Sequence, residues 1–140
     1  MPITREYVHK IFEHAKNNEQ AEMFRYVRDD VRSMVVNPEI KSSFASGGYT
    51  NKLDYQKALS PFGSMFASPL DISINRILVD GDTAVVELRS EAPGKRTEEQ
   101  YVNYVCMILE FDDQEEPKVK KFHEYLDSAH LQAFYEKNKG

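Results

Sequence analysis

Three ionisable side chains share one face of a single candidate strand. Across residues 83–91, alternation puts Ala84, Val86 and Leu88 on one side and Val85, Glu87, Arg89 and Glu91 on the other. A charged face of this kind is either solvated or lines a polar cavity. Carboxyl and guanidinium groups held together are ingredients of general acid/base chemistry, because neighbouring charges push pKa values apart. The same residues could equally form an ion-pair network at a rim. On a second strand, Asn103 shares a face with Tyr101 and Val105. Its amide could hydrogen-bond a substrate oxygen or be a satisfied core group. Other chemistries lack support. His9, His14, His123 and His130 show no metal-ligand spacing; His9 and His14 are five apart, about 140° around a helix. The single cysteine, Cys106, sits among apolar residues and reads as a small core side chain. There is no glycine-rich phosphate loop. Neither a metal nor a cofactor is expected.

These residues need elements to hold them. Ile3, Tyr7, Ile11 and Ala15, widened by Val8 and Phe12, predict an amphipathic helix over residues 3–16, with Thr4 as its N-cap. A shorter helix is expected over 19–27, a break at Asp29-Asp30, and a strand over 31–36 ending at Asn37-Pro38. Residues 37–50 read as a loop. Asn51, with Asp54 three residues on, should start a helix running toward Phe66, kinked or restarted at Pro61. The second half alternates. A phase slip between Asn75 and Ile77 implies a bulge, and Asp80-Gly81-Asp82 a hairpin turn. Strands follow over 83–91, 99–111 and 118–127, then a helix over 128–137 with Ser128 as a possible cap. Helices set before a run of hairpins predict an α+β fold, a curved sheet packed on helices, whose open end suits a ligand cavity. Most aromatic positions on the helices should be core. Tyr26 and the segment from Tyr55 to Phe66 could also line an apolar pocket.

Composition narrows the partners. The chain has 140 residues, which suits one domain over 1–140. Eighteen Lys and Arg against 23 Asp and Glu give a net charge of −5, which argues against nucleic acid. One cysteine excludes an intrachain disulfide. No apolar run approaches a membrane span, and no signal-peptide core is evident, so a cytoplasmic protein is expected.

Three motifs carry a family resemblance. Residues Val79 to Arg89, Tyr101-Val102-Asn103-Tyr104-Val105-Cys106, and Phe122-His123-Glu124-Tyr125-Leu126-Asp127 resemble segments of SnoaL-like proteins. These belong to the nuclear transport factor two-like (NTF2-like) superfamily, with polyketide cyclases, ketosteroid isomerases and limonene epoxide hydrolases. The resemblance implies a cone-shaped α+β barrel with a curved mixed sheet. Arg89, Glu91 and Glu124 fall on the positions of the arginine and two acids of limonene epoxide hydrolases, with Glu in place of Asp at both acids. It therefore implies that the trio converges in one cavity, one carboxyl acting as general acid and the other as base. A homodimer through the outer sheet face is also implied, in keeping with the apolar residues on both faces of the strand over 99–111. The reading that results is a cofactor-independent pocket protein, a lyase, isomerase, cyclase or hydrolase for a hydrophobic small molecule. Its alternatives are a non-catalytic binding or dimerisation module, or an interaction adaptor using the sheet face. Expected catalytic residues are Arg89, Glu91 and Glu124; expected ligand contacts are Asn103, Tyr26, Tyr55 and Phe66.

Overall fold

The structure, a computed structural model, describes residues 3–140. Residues 1 and 2 of the expected domain lie outside the described range. The first helix, α1 (Arg5–Lys16), starts where Thr4 accepts a hydrogen bond from the Tyr7 amide, and buries Val8, Ile11, Phe12 and Ala15. The next, α2 (Gln20–Phe24), is shorter than expected. The chain turns extended at β1 (Val27–Val35), four residues ahead of the expected strand. Asp29-Asp30 is not a break. It lies in the irregular stretch between the pairs Val27/Val119 and Arg32/Lys121, where the strand leaves and rejoins its neighbour.

The loop over 37–50 contains β2 (Gly47–Tyr49), a three-residue edge strand on β1. Asn51 caps α3 (Lys52–Ala58), accepting from the Asp54 amide. Pro61 ends the α-helical hydrogen bonding and opens a 3-10 segment at Ser60–Ser64, so the long helix toward Phe66 is two pieces. Then come β3 (Asp71–Asp80), β4 (Thr83–Pro93), β5 (Gln100–Phe111) and β6 (Val119–Leu126). The bulge in β3 falls between Ile74 and Arg76. The closing helix α4 (Ser128–Asn138) is capped by Asp127, which accepts from the His130 amide; Ser128 is already its first residue.

The six strands form one mixed sheet in the order β2-β1-β6-β5-β4-β3, antiparallel except for β1 beside β6. The fold is therefore the curved mixed sheet on N-terminal helices that the resemblance implied. Alternation sorts the sheet cleanly. Ala84, Val86, Leu88, Ser90 and Ala92 of β4 are buried, while the residues between them are half-buried on the opposite face. The core lies between the inner face and α1, α3 and α4, with Phe111, Phe134, Leu131 and Met65 wholly enclosed. Among the described residues no helix is long and apolar enough to cross a membrane.

Candidate functional site

The inner sheet face does not fill with side chains. A cavity of about 930 Å³ remains between it, α2, α3 and the segment around residues 62–70. Its walls are apolar: Leu88, Val105, Met107, Leu109, Phe122 and Leu126 from the strands, with Phe24, Leu59, Phe62 and Phe66 from the helical side. The lining residues that are exposed are Asn18, Gln20 and Ala21 on one side and Gly63, Ala67, Ser68 and Pro69 on the other. The mouth therefore opens between the α1–α2 corner and the segment leading into β3. The loop over 37–50 contributes nothing to the lining.

Glu124 is the one carboxylate among the described residues that line this space. Residues 122, 124 and 126 of β6 share the inward phase, so Glu124 stands between Phe122 and Leu126. Its neighbours across the ladders are Met107 and Val35. The Tyr55 hydroxyl, carried in by α3, donates to Oε1 of Glu124 at 2.7 Å. Burial raises the Glu124 pKa above its usual value, and the Tyr55 hydrogen bond pulls it partly back. The Tyr55 hydroxyl is held well above its usual pKa by burial and then by the adjacent carboxylate. Tyr49 is raised by burial and by Glu124 as well. Among the described residues, no Lys, Arg or His lines the cavity. Glu124 thus has a hydrogen-bond donor but no counter-charge in the cavity, a setting that favours the protonated form more than water does.

The expected trio does not converge. Arg89 and Glu91 occupy the outward phase of β4, where Nη1 of Arg89 donates to Oε1 of Glu91 at 3.0 Å and both side chains are about one-third exposed. The cavity-facing residues of this strand are their neighbours Leu88 and Ser90. The physical reason is plain: the core face took the apolar and small set, and the cavity belongs to that face. Arg89 and Glu91 are therefore corrected to an outer-face ion pair, on the opposite side of the sheet from Glu124 and further along it.

The expected ligand contacts divide similarly. Tyr55 and Phe66 line the cavity. Tyr26 does not: its ring packs edge-on to Tyr7 at 5.9 Å and stacks with His14 at 6.1 Å outside it. It sits where the chain enters β1, its carbonyl accepting from the Val119 amide, and its ring packs against α1. Asn103 faces inward but is fully engaged. Its Nδ2 donates to the Tyr101 hydroxyl at 2.9 Å and the Asp127 carbonyl at 3.0 Å, and its Oδ1 accepts from the Asp127 amide. It is a satisfied core amide, corrected from direct ligand contact to support of Tyr101. Tyr101 lines the cavity, is 2% exposed, and its hydroxyl pKa is pushed up to about 12, chiefly by burial. Its oxygen accepts from Asn103, which leaves its own hydrogen without an acceptor among the described residues. Tyr101, Ser90, Phe24 and Phe122 were missed as lining residues. For Ser90, Tyr101 and Phe122 the signal was present, since each shares its strand's inward phase; α2 buries no residue, and Phe24 had no such mark.

Among the described residues, no group of three or more His, Cys, Asp or Glu is gathered closely enough to hold a metal ion. No family model matches the sequence, and no curated protein does. Solved structures do. An NTF2-like protein of unknown function from Burkholderia pseudomallei superposes with a TM-score of 0.71 at 10% identity, covering 93% of this chain and 95% of that one. TerC, crystallised with polyporic acid, gives 0.73 at 11% identity over 94% and 96%. A SnoaL-like polyketide cyclase from Jannaschia gives 0.66 at 14% identity over 95% and 89%. At these identities the likeness is one of fold, and the fold is NTF2-like.

Proposed function

We propose that this chain binds a hydrophobic small molecule in the cavity and that Glu124 moves a proton on it. The observation that carries the reading is a carboxyl with raised pKa, held by Tyr55 at 2.7 Å, in an apolar cavity of about 930 Å³. In this scheme the ionised Glu124 takes a proton from an acidic C–H beside a carbonyl. The electron pair moves onto the carbonyl oxygen, which the free Tyr101 O–H steadies. Return of the proton to another atom completes an isomerisation; its use against a leaving group completes an elimination. Kinship of fold with a SnoaL-like polyketide cyclase supports chemistry of this class. The hydrolase variant, which needs two carboxyls at one centre, has no second carboxylate here among the described residues.

The test is turnover across a panel of hydrophobic ketones by wild type and Glu124→Gln. The amide keeps the shape and cannot take the proton, so turnover should fall by at least about 100-fold with the fold intact. Retained turnover would sink the acid/base reading. One observation favours a second reading, a non-catalytic binding module: a single carboxylate faces the cavity among the described residues, where acid/base enzymes often place two. Ligand binding without turnover by wild type would select it.

The outer sheet face supports pairing of two copies. Leu78, Tyr104, Ile108 and Tyr125 are large and exposed there, at 55%, 58%, 39% and 44%. Leu78, Val85 and Ile108 lie in one row across three strands. A homodimer closed on this face would cover them. Light scattering should give twice the chain mass, and Tyr104→Lys should return it to one.

A further inference from the structure

The cavity is electrically one-sided. Glu124 is the one carboxylate among its described lining residues, and no Lys, Arg or His accompanies it. The hydrogen bond from Tyr55 satisfies one oxygen but supplies no positive charge. Around this pair stand aromatic rings. Phe122 packs edge-on to Tyr55 at 4.9 Å and Phe24 lies at 6.3 Å, both lining the cavity. Phe62, Phe66 and Tyr101 continue the aromatic wall on the other side. Ring faces attract cations, and the attraction grows as water is excluded.

We propose that the ligand of this cavity is a hydrophobic molecule bearing a single positive charge, an amine or quaternary ammonium, and that Glu124 selects it. The inference rests on the cavity reading above and adds the ligand's charge class. Burying an ion pair is ordinarily close to break-even, because both partners lose water. Here part of the desolvation cost is already incurred by folding, since Glu124 is half-buried in the cavity wall with or without a ligand. The cation also loses water, a cost that falls as alkyl groups replace its N–H bonds, and it gains both the carboxylate and the aromatic wall. A ligand carboxylate or phosphate meets the opposite situation: a like charge at short range and no basic group to offset it. A neutral ligand of the same shape gains burial alone. Affinity should therefore fall in the order cation, neutral, anion, and the order should depend on Glu124.

Three probes of one shape test this: 2-naphthylmethylammonium, 2-naphthalenemethanol and 2-naphthoate, titrated calorimetrically into the intact protein at about pH 8, well above the ordinary carboxyl range. The ammonium should bind roughly tenfold or more tighter than the alcohol, and naphthoate should be the weakest. In Glu124→Gln the ammonium should lose its advantage, while the alcohol keeps its affinity within about threefold. Tyr55→Phe leaves the carboxyl in place without its donor, and the preference for the cation should persist, since a bound ammonium itself favours the ionised form. It serves if the Gln variant fails to fold. Four results would overturn the proposal: alcohol binding as tightly as ammonium, naphthoate within tenfold of it, the preference surviving in Glu124→Gln, or its loss in Tyr55→Phe. Binding of the alcohol alone would end charge selection and leave the cavity reading standing. Failure of all three probes to bind would end both.

Discussion

The two faces of one sheet use the same residue types to opposite ends. On the outer face Glu91 sits beside Arg89 at 3.0 Å, about one-third exposed, with its charge matched and hydrated. On the inner face Glu124 sits between Phe122 and Leu126 with a phenol for company and no cation among the lining residues. A carboxylate in the first setting does little beyond keeping a strand soluble. In the second, burial favours the protonated form and no cation in the lining offsets it, which suits proton transfer or selective binding. The faces differ in the same way for aromatics. Phe111 is wholly buried on the inner side, while Tyr104 is 58% exposed on the outer.

The largest way to break this contrast is to truncate one aromatic on each face. Phe111→Ala should lower unfolding free energy by about 3–5 kcal/mol, the loss of transfer energy plus an unfilled void. Tyr104→Ala should stay within about 0.5 kcal/mol per subunit. Urea denaturation of dilute protein measures both, and comparable losses would mean that the two faces are not distinct.

An intermediate effect belongs to the link between Tyr55 and Glu124. Tyr55→Phe removes one hydroxyl and leaves a buried carboxyl oxygen without its donor. The cost should be about 1–3 kcal/mol, as for an unsatisfied buried acceptor. A change near zero would mean that the carboxyl finds another partner or stays protonated at no expense.

Local signals in the sequence translated directly into structure. Thr4 and Asn51 cap their helices, Pro61 divides the helical stretch, and the phase slip near Asn75 is a bulge, because each depends on bonds within a few residues. Non-local pairing was not legible. Two aspartates at 29 and 30 look like a strand break, yet β1 pairs with β6, some ninety residues away, on both sides of them, and the chain stays extended in between. Asp127 rather than Ser128 caps α4 for a related reason: Asn103 bonds both the amide and the carbonyl of Asp127 and fixes it in an extended geometry. The site was half legible. Sorting β4 into two faces was correct, but charge drew attention to the wrong one. Leu88 and Ser90 share the phase of the core, and so does Glu124 beside Phe122 and Leu126; the apolar partners marked the cavity side.

A subtler test uses pH. Burial raises the Glu124 carboxyl above 4.5, so the native state holds that proton more tightly than the unfolded chain does. Its contribution to stability is thus fully present below about 4.5 and is lost as pH rises from there through the folded value. Glu124→Gln lacks this titration. The stability of the variant relative to wild type should be constant at low pH and then increase with pH across that window. Other acids cancel in the difference, including Asp30 and Glu136, whose partners lower their pKa values. Urea midpoints of both proteins at several pH values would measure it. A flat or reversed difference would mean that Glu124 is not desolvated.

The smallest expected effect closes the comparison from the other side. Arg89→Ala removes the cation beside Glu91 on a face already open to water. Solvent screens both groups, and the freed carboxylate regains hydration. The urea midpoint should not move measurably, at low or high salt, and affinity for a cavity ligand should stay as in wild type. This is where the convergent trio and the two-faced sheet part company. If Arg89 positioned a reacting carboxyl, its removal would weaken ligand binding or turnover and shift their pH dependence. If it is an outer-face ion pair, Arg89→Ala and Glu91→Gln are silent in every cavity readout, while Glu124→Gln is not. Ligand titration of the three variants side by side would decide, and any loss of affinity in Arg89→Ala comparable to that in Glu124→Gln would place the arginine in the site after all.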